Sequence, residues 1–350
     1  MTQALSVDQK RAVLKKRLPE LLHIRDIAKR YAPAVNLYEE ARVKVKGLDL
    51  PIYSLFIGQF QKHRPTLLVT AGIHGLERIG TQVVLAFAES LLTRTGWDPL
   101  IQHLVMEMNI VLVPLVNPGG MFYNTRANPN GVDLMRNATI EAEFKAPLFY
   151  GGQRLSKRLP WYCGKAGNPM EAECQTLANI VQRLAGQSPL TISIDCHSGF
   201  GFRDRLWFPY AYRKRPIAMI DRLLALKLLL DKTFPHHDYL FEPQSLSYIT
   251  HGDLWDYLYK RHKNTEKSLF IPLTLEMGSW NWVKKRPTQL FMSGGLFNPL
   301  APHRRARVLR RHLMLFEFLC SAALAHKTWL PTGEERQRLF QAAESLWYKR

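Results

Sequence analysis

The feature that most constrains this chain is an alternation of short, β-rich apolar runs with longer segments of helical periodicity. The apolar runs are rich in β-branched and aromatic residues and cover residues 53–57, 66–71, 109–115, 190–195 and 270–275, and the run at 66–71 is short and continuous. Such runs are typical of strands that are covered on both faces of a sheet. Apolar residues at helical spacing occupy residues 79–91, 171–184, 217–234 and 304–324. We therefore predict an α/β protein, a three-layer α/β/α sandwich with a mixed, largely parallel central sheet.

The order of these segments predicts one catalytic domain with helical additions at both ends. We place the domain at residues 46–325, because no repeat and no linker-like change of composition interrupts this part of the 350 residues. Helical spacing near the start predicts an N-terminal helical extension over residues 1–45. Residues 326–350 are predicted to form a C-terminal helical tail.

The composition limits where the chain is expected to be located and which kinds of metal site it can have. No apolar run approaches the roughly 20 residues that a membrane-spanning helix needs. The N-terminus is polar and charged, unlike a secretory signal, so we expect a cytoplasmic location. The cysteines contain no C-x-x-C pair, which excludes a cysteine-type zinc site and leaves histidine and carboxylate ligands.

The chain is strongly basic, with 48 lysines and arginines against 29 aspartates and glutamates and a formal net charge of +19. This surplus favours acidic partners, namely nucleic acid, anionic lipid or a substrate that carries carboxylates. On a helix, Arg304, Arg307 and Arg311 of the densest basic run share one face. A basic nucleic-acid- or membrane-binding protein without catalysis is therefore one alternative, and a solvated basic surface is another. No nucleic-acid-binding signature accompanies the charge, so we expect no specific nucleic-acid partner.

Side chains that bind metals stand where the predicted strands end. His74 and Glu77 follow the second apolar run, His197 follows the fourth and Glu276 the fifth. Ligands of open α/β sheets bind at the carboxyl ends of the strands, and catalytic zinc often takes two histidines and one carboxylate. The alternatives are purely structural. His74 would cap its turn, Glu77 would interact with a helix dipole, and Glu276 would pair with an arginine.

Several motifs connect these residues to a known family. They are H-x-x-E at 74–77, N-P-x-G at 117–120, N-x-N-G-V-D-L-x-R-N at 128–137, H-S at 197–198 and L-T-x-E at 273–276. Together, and in this order, they resemble the zinc metallocarboxypeptidases of the M14 (carboxypeptidase A/B) type. The resemblance covers about residues 45–320 and includes a Y-x-x-x-G-x-x-x-D stretch that begins at Tyr248.

The resemblance implies one zinc ion per chain and a role for each matching residue. The implied zinc ligands are His74, Glu77 and His197. Glu276 is the implied general base, Arg126 the group that polarises the scissile carbonyl, and Tyr248 a mobile tyrosine that closes over the substrate.

The remaining implied roles concern the substrate and the support of the first histidine. Arg136 is the implied anchor for a substrate carboxylate, with Asn137 and Trp255 at the substrate site. Asp133 is expected to accept a hydrogen bond from His74 and to fix its tautomer. Asp253 and Asp256 lie close to Trp255 in the sequence, and either is a candidate to receive a basic substrate side chain.

The same residue types support hydrolysis on chemical grounds. Zinc lowers the pKa of a bound water toward about 7, and Glu276 can take the water proton and return it to a departing amine. The guanidinium of Arg126 is always charged and suits an oxyanion, whereas that of Arg136 suits a planar carboxylate. We therefore expect a zinc-dependent hydrolase that cleaves a peptide or amide bond next to a carboxylate-bearing residue.

A second enzyme class stays open. Deacylases of the aspartoacylase or succinylglutamate desuccinylase type share the zinc ligand set and a late glutamate. Met135 stands where the M14 family usually has asparagine, so the carboxylate clamp loses hydrogen bonds and gains an apolar wall. The expected partner is therefore a peptide or an N-acyl amino acid with a free carboxylate, and the sequence predicts no particular oligomeric state.

Overall fold

The computed structural model describes residues 6–292 and 294–349. Its strands are β1 (Val35–Val45), β2 (Leu48–Ile57), β3 (Thr66–Ala71), β4 (Asn109–Val113), β5 (Leu190–Ser198), β6 (Arg205–Phe208), β7 (Leu240–Pro243) and β8 (Leu269–Met277). These strands form one sheet in the order β1-β2-β4-β3-β5-β8-β6-β7. The parallel pairs are β3 with β4, β3 with β5, β5 with β8 and β6 with β7, and the other pairs are antiparallel. The prediction of a mixed sheet in an α/β fold is therefore confirmed.

Helices lie on both sides of the sheet. They are α1 (Val7–Arg17), α2 (Pro19–Arg30), α3 (Arg78–Arg94), α4 (Pro99–Glu107), α5 (Pro118–Tyr123), α6 (Ala172–Ala185), α7 (Ile220–Thr233), α8 (Leu254–Arg261), α9 (Trp280–Lys285), α10 (Pro302–Leu324), α11 (His326–Trp329) and α12 (Gly333–Trp347). Within the described ranges, no helix combines the length and the apolarity that crossing a membrane requires.

The two faces of the sheet are buried in two separate cores. Leu67 of β3 lies in a core that includes Phe87 of α3 and Phe316 of α10. Its neighbour Leu68 points to the opposite face, in a core that includes Leu177 of α6 and residues of α8. Since alternate residues of a strand face opposite sides, a strand buried on both faces is mainly apolar, and a polar side chain in it needs internal hydrogen-bond partners, as Asp195 of β5 has. This is the physical reason for the continuous apolar runs in the sequence.

The N-terminal boundary that we predicted needs a correction. Residues 1–45 are not all helical, because β1 follows α1 and α2 and pairs with β2 as an edge strand of the sheet. Lys46 and Gly47 connect the two strands with positive φ values of 47° and 76°, as a tight hairpin turn requires. The outer face of β1 carries exposed charged residues such as Glu39, so it lacks the continuous apolar signal of the central strands. Residues 1–5 and 350 lie outside the described part.

Candidate metal centre and active-site cleft

The structure brings together the three residues that were predicted to bind zinc. His74 and Glu77 lie in the turn between β3 and α3, and His197 lies near the end of β5. One donor atom from each residue lies within 4.8 Å of the others, and all three side chains are buried. Because β3 and β5 are parallel neighbours, their carboxyl ends meet at one edge of the sheet, where these side chains converge.

The turn that carries His74 is held by the N-P-x-G segment. Asn117 donates a hydrogen bond from Nδ2 to the carbonyl of Ile73 at 3.0 Å. At Gly75, a Cβ atom would lie 2.0 Å from the carbonyl carbon of Gly120, so only glycine permits this close approach of the two backbones. The N-P-x-G motif thus positions the first histidine.

The three side chains fit a zinc ion. Nδ1 of His74 is buried and has no hydrogen-bond partner in the described part of the chain, which is unfavourable unless a ligand occupies it. Burial, together with the charge of Arg126, holds the pKa of His74 well below its usual range, so the imidazole is neutral as a metal ligand must be. Two imidazoles and one carboxylate are a donor set that catalytic zinc prefers.

His197 is fixed by a buried carboxylate that the sequence analysis missed. Asp195 Oδ2 lies 2.6 Å from His197 Nε2, and the other ring nitrogen, Nδ1, lies 3.2 Å from Glu77 Oε2. Asp195 also accepts hydrogen bonds from Thr70 Oγ1 at 2.8 Å and from Trp255 Nε1 at 3.0 Å. The signal for this role was present, since residues two apart on a strand share one face and Asp195 precedes His197 by two.

The same carboxylate sets the charge of the histidine. Burial by itself lowers the pKa of His197, but the ion pair and hydrogen bond with Asp195 raise it well above the usual range. Without a metal ion, the Asp195 carboxylate therefore favours the protonated form of His197. Metal binding at this site must release that proton, so the metal affinity rises with pH.

Trp255 and Asn137 do not lie where the resemblance implied. Trp255 is 2 % exposed and lies behind β5, where its indole is bonded to Asp195 rather than to a substrate. Asn137 donates from Nδ2 to the carbonyl of Cys163 and accepts from the backbone N–H of Glu171, which holds two loops together outside the cleft. Both predictions of substrate contact were wrong, because the backbone turns these side chains toward the protein interior.

The two aspartates near Trp255 are also used internally. Asp253 Oδ1 accepts from the backbone N–H of Asp256 and caps α8. Asp256 Oδ2 accepts from the backbone N–H groups of Ala211 and Tyr212. Neither carboxylate lines the cleft, so neither receives a basic substrate side chain there.

Arg126 lies directly against the ligand set. Its Nη2 is 2.7 Å from His74 Nε2, its Nη1 is 3.5 Å from Glu77 Oε1, and its Nε donates to Asp133 Oδ2 at 2.8 Å. The predicted hydrogen bond from His74 to Asp133 is absent, because Oδ1 and Nδ1 are 3.8 Å apart. The carboxylate of Asp133 is instead used by Arg126 and by the backbone N–H of Met135.

Glu276 stands opposite the second histidine on the neighbouring strand, where His197 and Glu276 are register partners of β5 and β8. It accepts a hydrogen bond from the backbone N–H of Phe200 at 3.0 Å and forms no ion pair with a described residue, so the structural alternative of an arginine partner does not hold. Burial, and then the charge of Glu77, raise its pKa to about 8. A carboxyl group with a raised pKa beside a set of metal ligands is typical of a functional group.

These residues line one cleft of about 440 Å³. Phe200, Trp207 and Tyr248 form an aromatic wall, in which the ring centroids of each pair lie 5.2 to 5.8 Å apart. Tyr248 is half-buried in this wall, and burial raises its pKa. The tyrosine that was predicted to close over a substrate is thus present in the cleft.

Arg136 supplies an uncompensated positive charge to the cleft. The side chain is 3 % exposed, and it donates to the backbone carbonyls of Met135 at 3.1 Å and Tyr150 at 3.3 and 3.4 Å and also interacts with the Tyr248 side chain. No carboxylate of the described ranges pairs with it. A buried guanidinium without a counter-charge is a favourable place for a planar carboxylate of a ligand.

Two histidines and a glutamate around one point, facing a free glutamate across a cleft, are an arrangement that mononuclear zinc hydrolases use. The chain belongs to the zinc carboxypeptidase family, peptidase M14, whose family model matches residues 26–282. The family assignment that the motifs suggested is therefore confirmed.

Individual relatives match shorter stretches. Carboxypeptidase M of Mus musculus is 30% identical over 127 residues, which are 33% of this chain and 28% of the relative. The inactive metallocarboxypeptidase ecm14 of Talaromyces marneffei is 32% identical over 188 residues, 48% of this chain and 30% of the relative. The matched stretch thus spans less than a third of either relative. Thrombin activatable fibrinolysis inhibitor (TAFI) has a similar fold, with a TM-score of 0.64 and 20% identity over 86% of this chain and 72% of that chain.

Proposed function

We propose that this chain is an active zinc-dependent metallocarboxypeptidase that cleaves a peptide bond next to a residue with a free carboxylate. The observation that carries the proposal is the content of one cleft. It holds the ligand set His74, Glu77 and His197, the unpaired base Glu276, and the unpaired guanidinium of Arg136.

His74, Glu77 and His197 would hold the zinc ion, which supplies an activated water and a Lewis acid for a carbonyl oxygen. Glu276 accepts the proton of the attacking water and returns it to the departing amine. Its raised pKa suits this transfer, since a carboxylate that ionises near neutral pH can both take and give a proton.

Two arginines bind the charges of the substrate. Arg136 binds the free carboxylate and thereby sets which bond lies beside Glu276. Arg126 lines the cleft beside Glu77 and is positioned to stabilise the oxyanion that forms when water adds to the carbonyl. Met135 also lines the cleft and gives the carboxylate site an apolar wall.

Several relatives of this chain are named inactive metallocarboxypeptidases, so the test of the proposal is a direct measurement of hydrolysis. In this chain the three ligands and the base are all present and buried in one place. We expect Glu276→Gln to retain one zinc ion per chain and to lose about 10²- to 10⁴-fold in kcat. His74→Ala should lose the metal itself.

The substrates of the assay separate the two enzyme classes. Blocked dipeptides with a free carboxylate should be hydrolysed, whereas the same dipeptides with a terminal amide should not. N-acetyl and N-succinyl amino acids represent the deacylase alternative. Faster turnover of these than of any dipeptide, or full turnover by Glu276→Gln, would contradict the proposal.

A further inference from the structure

A second cavity of about 440 Å³ lies beside the cleft, and we refer to it as the basic cavity. Its walls are the loop after β5, the segment that follows β8, and one face of α10. The positively charged side chains that line it are Arg203, Lys285, Arg304, Arg307 and Arg311. Two basic runs that are separate in the sequence, residues 284–286 and 304–311, thus meet in one concave site.

Most of this charge has no acidic partner. The carboxylates in the lining are Asp204 and Asp238, and Arg311 pairs with both, at 3.1 and 3.0 Å. Arg304 donates to the carbonyl of Trp282 at 3.0 Å, and Arg203 to that of Asp238 at 3.4 Å. Neither forms an ion pair with a described residue.

Lys285 and Arg307 also lack an ion pair with any carboxylate in the parts of the chain that the structure covers. Both are exposed, so an incoming ligand reaches them without rearrangement of the core. A concave surface with a surplus of one sign of charge concentrates its field and attracts the opposite charge. The ligand that fits the basic cavity is therefore acidic.

A continuous row of aromatic rings joins the carboxylate anchor to this cavity. The guanidinium of Arg136 lies 6.0 Å from the ring of Tyr248, which lies 5.7 Å from Phe200. Phe200 lies 5.6 Å from Trp280, and Trp280 lies 5.5 Å from Phe202. Trp280 lines the cleft and Phe202 lines the basic cavity, so this last pair forms their shared wall.

The row also gives the direction of a bound peptide. Glu276 accepts a hydrogen bond from the backbone of Phe200, so the base lies between the Arg136 anchor and the basic cavity. A peptide whose terminal carboxylate is at Arg136 therefore extends past Glu276 toward Trp280 and Phe202. The ring centroids of Phe200 and Phe202, each about 5.5 Å from that of Trp280, are at most about 11 Å apart, which an extended chain covers in roughly three residues.

We propose that the basic cavity binds acidic side chains of the peptide substrate, about three to five residues before the bond that is cleaved. This inference rests on the proposed function, because it assumes a peptide in the cleft. It adds a selectivity for acidic segments that the cleft itself, with its aromatic wall, does not provide.

The test compares two blocked octapeptides that differ only at these upstream positions, one with glutamates and one with glutamines. For the unmodified enzyme we expect kcat/KM to be about tenfold higher for the glutamate peptide, through a lower KM, and this preference to vanish above about 0.5 M NaCl. The double variant Lys285→Gln, Arg307→Gln should lose the preference with kcat unchanged. Arg310→Gln is the matched control, since Arg310 is exposed on the same helix but does not line the cavity.

Binding to Glu276→Gln separates a failure of this inference from a failure of the proposed function. The proposed function fails if no peptide is hydrolysed. The inference about the basic cavity is still supported if the glutamate peptide binds at least fivefold tighter than the glutamine peptide and this preference requires Lys285 and Arg307. Equal affinity for both peptides would overturn it. Displacement of the glutamate peptide by a tenfold lower concentration of duplex DNA would also overturn it, in favour of nucleic-acid binding.

Discussion

Replacing Asp195 by asparagine tests whether the buried carboxylate behind His197 sets the metal affinity. Asp195 is fully buried and accepts hydrogen bonds from Thr70 and Trp255, besides its contact of 2.6 Å with His197. Asparagine has nearly the same shape but no charge. A hydrogen bond to a charged group contributes about 1.5–3 kcal/mol, which corresponds to a loss of roughly 10- to 150-fold in zinc affinity. Substitutions behind ligating histidines lower the metal affinity by about 10- to 100-fold, which agrees.

A second effect, which acts in the opposite direction, makes the loss of zinc affinity depend on pH. Asp195 raises the pKa of His197, and zinc must displace the resulting proton below that pKa. Asparagine removes this proton competition and so offsets part of the loss at low pH. We therefore expect the loss of affinity to be largest at about pH 9 and smaller at about pH 6.5.

The assay is a competition titration of the metal-free protein against a chromophoric zinc chelator at both pH values. Trp255→Phe is the control, because it removes one donor to Asp195 and keeps the carboxylate, and we expect it to lower the affinity less than about fivefold. An Asp195→Asn protein that is folded by circular dichroism, yet binds zinc within twofold of the unmodified protein at about pH 9, would refute the reasoning.

Three further predictions concern the substrate anchor, pH stability and the C-terminal helix. Arg136→Gln should raise KM about 10- to 150-fold for dipeptides with a free carboxylate, and an unchanged KM would contradict the anchor role. Burial lowers the pKa of His312 to about 4, below its unfolded value, so stability falls as pH drops from about 6.5 toward 4. When the pH is lowered from 7 to 5, the free energy of unfolding in urea should therefore fall by about 2 kcal/mol less for His312→Gln than for the unmodified protein. An equal fall in both proteins would contradict this. Trp347→Ala should lower the free energy of unfolding by about 3–5 kcal/mol, because Trp347 is 4 % exposed and its ring centroid lies 4.9 Å from that of Phe208. A loss below about 1 kcal/mol would contradict this packing role.

The sequence by itself determined the central sheet and the residues of the candidate metal site. Strands that are buried on both faces are rich in apolar, β-branched and aromatic residues, so β3, β5 and β8 were visible in the sequence. Parallel strands bring their carboxyl ends to one edge, and for that reason the sequence predicts that His74, His197 and Glu276 meet there. The half-exposed edge strand β1 was missed, because its outer face carries charged residues.

The tertiary structure alone decided what surrounds that site. Trp255 and Asn137 matched a family pattern, yet the packing of their backbone turns both away from the cleft. Whether the charge of Arg136 is compensated depends on which distant segments reach it, and the same holds for Lys285 and Arg307, which meet only because α10 folds back beside the end of β8. Local periodicity fixes where a strand ends, but the direction and the neighbours of a side chain depend on contacts between segments far apart along the chain.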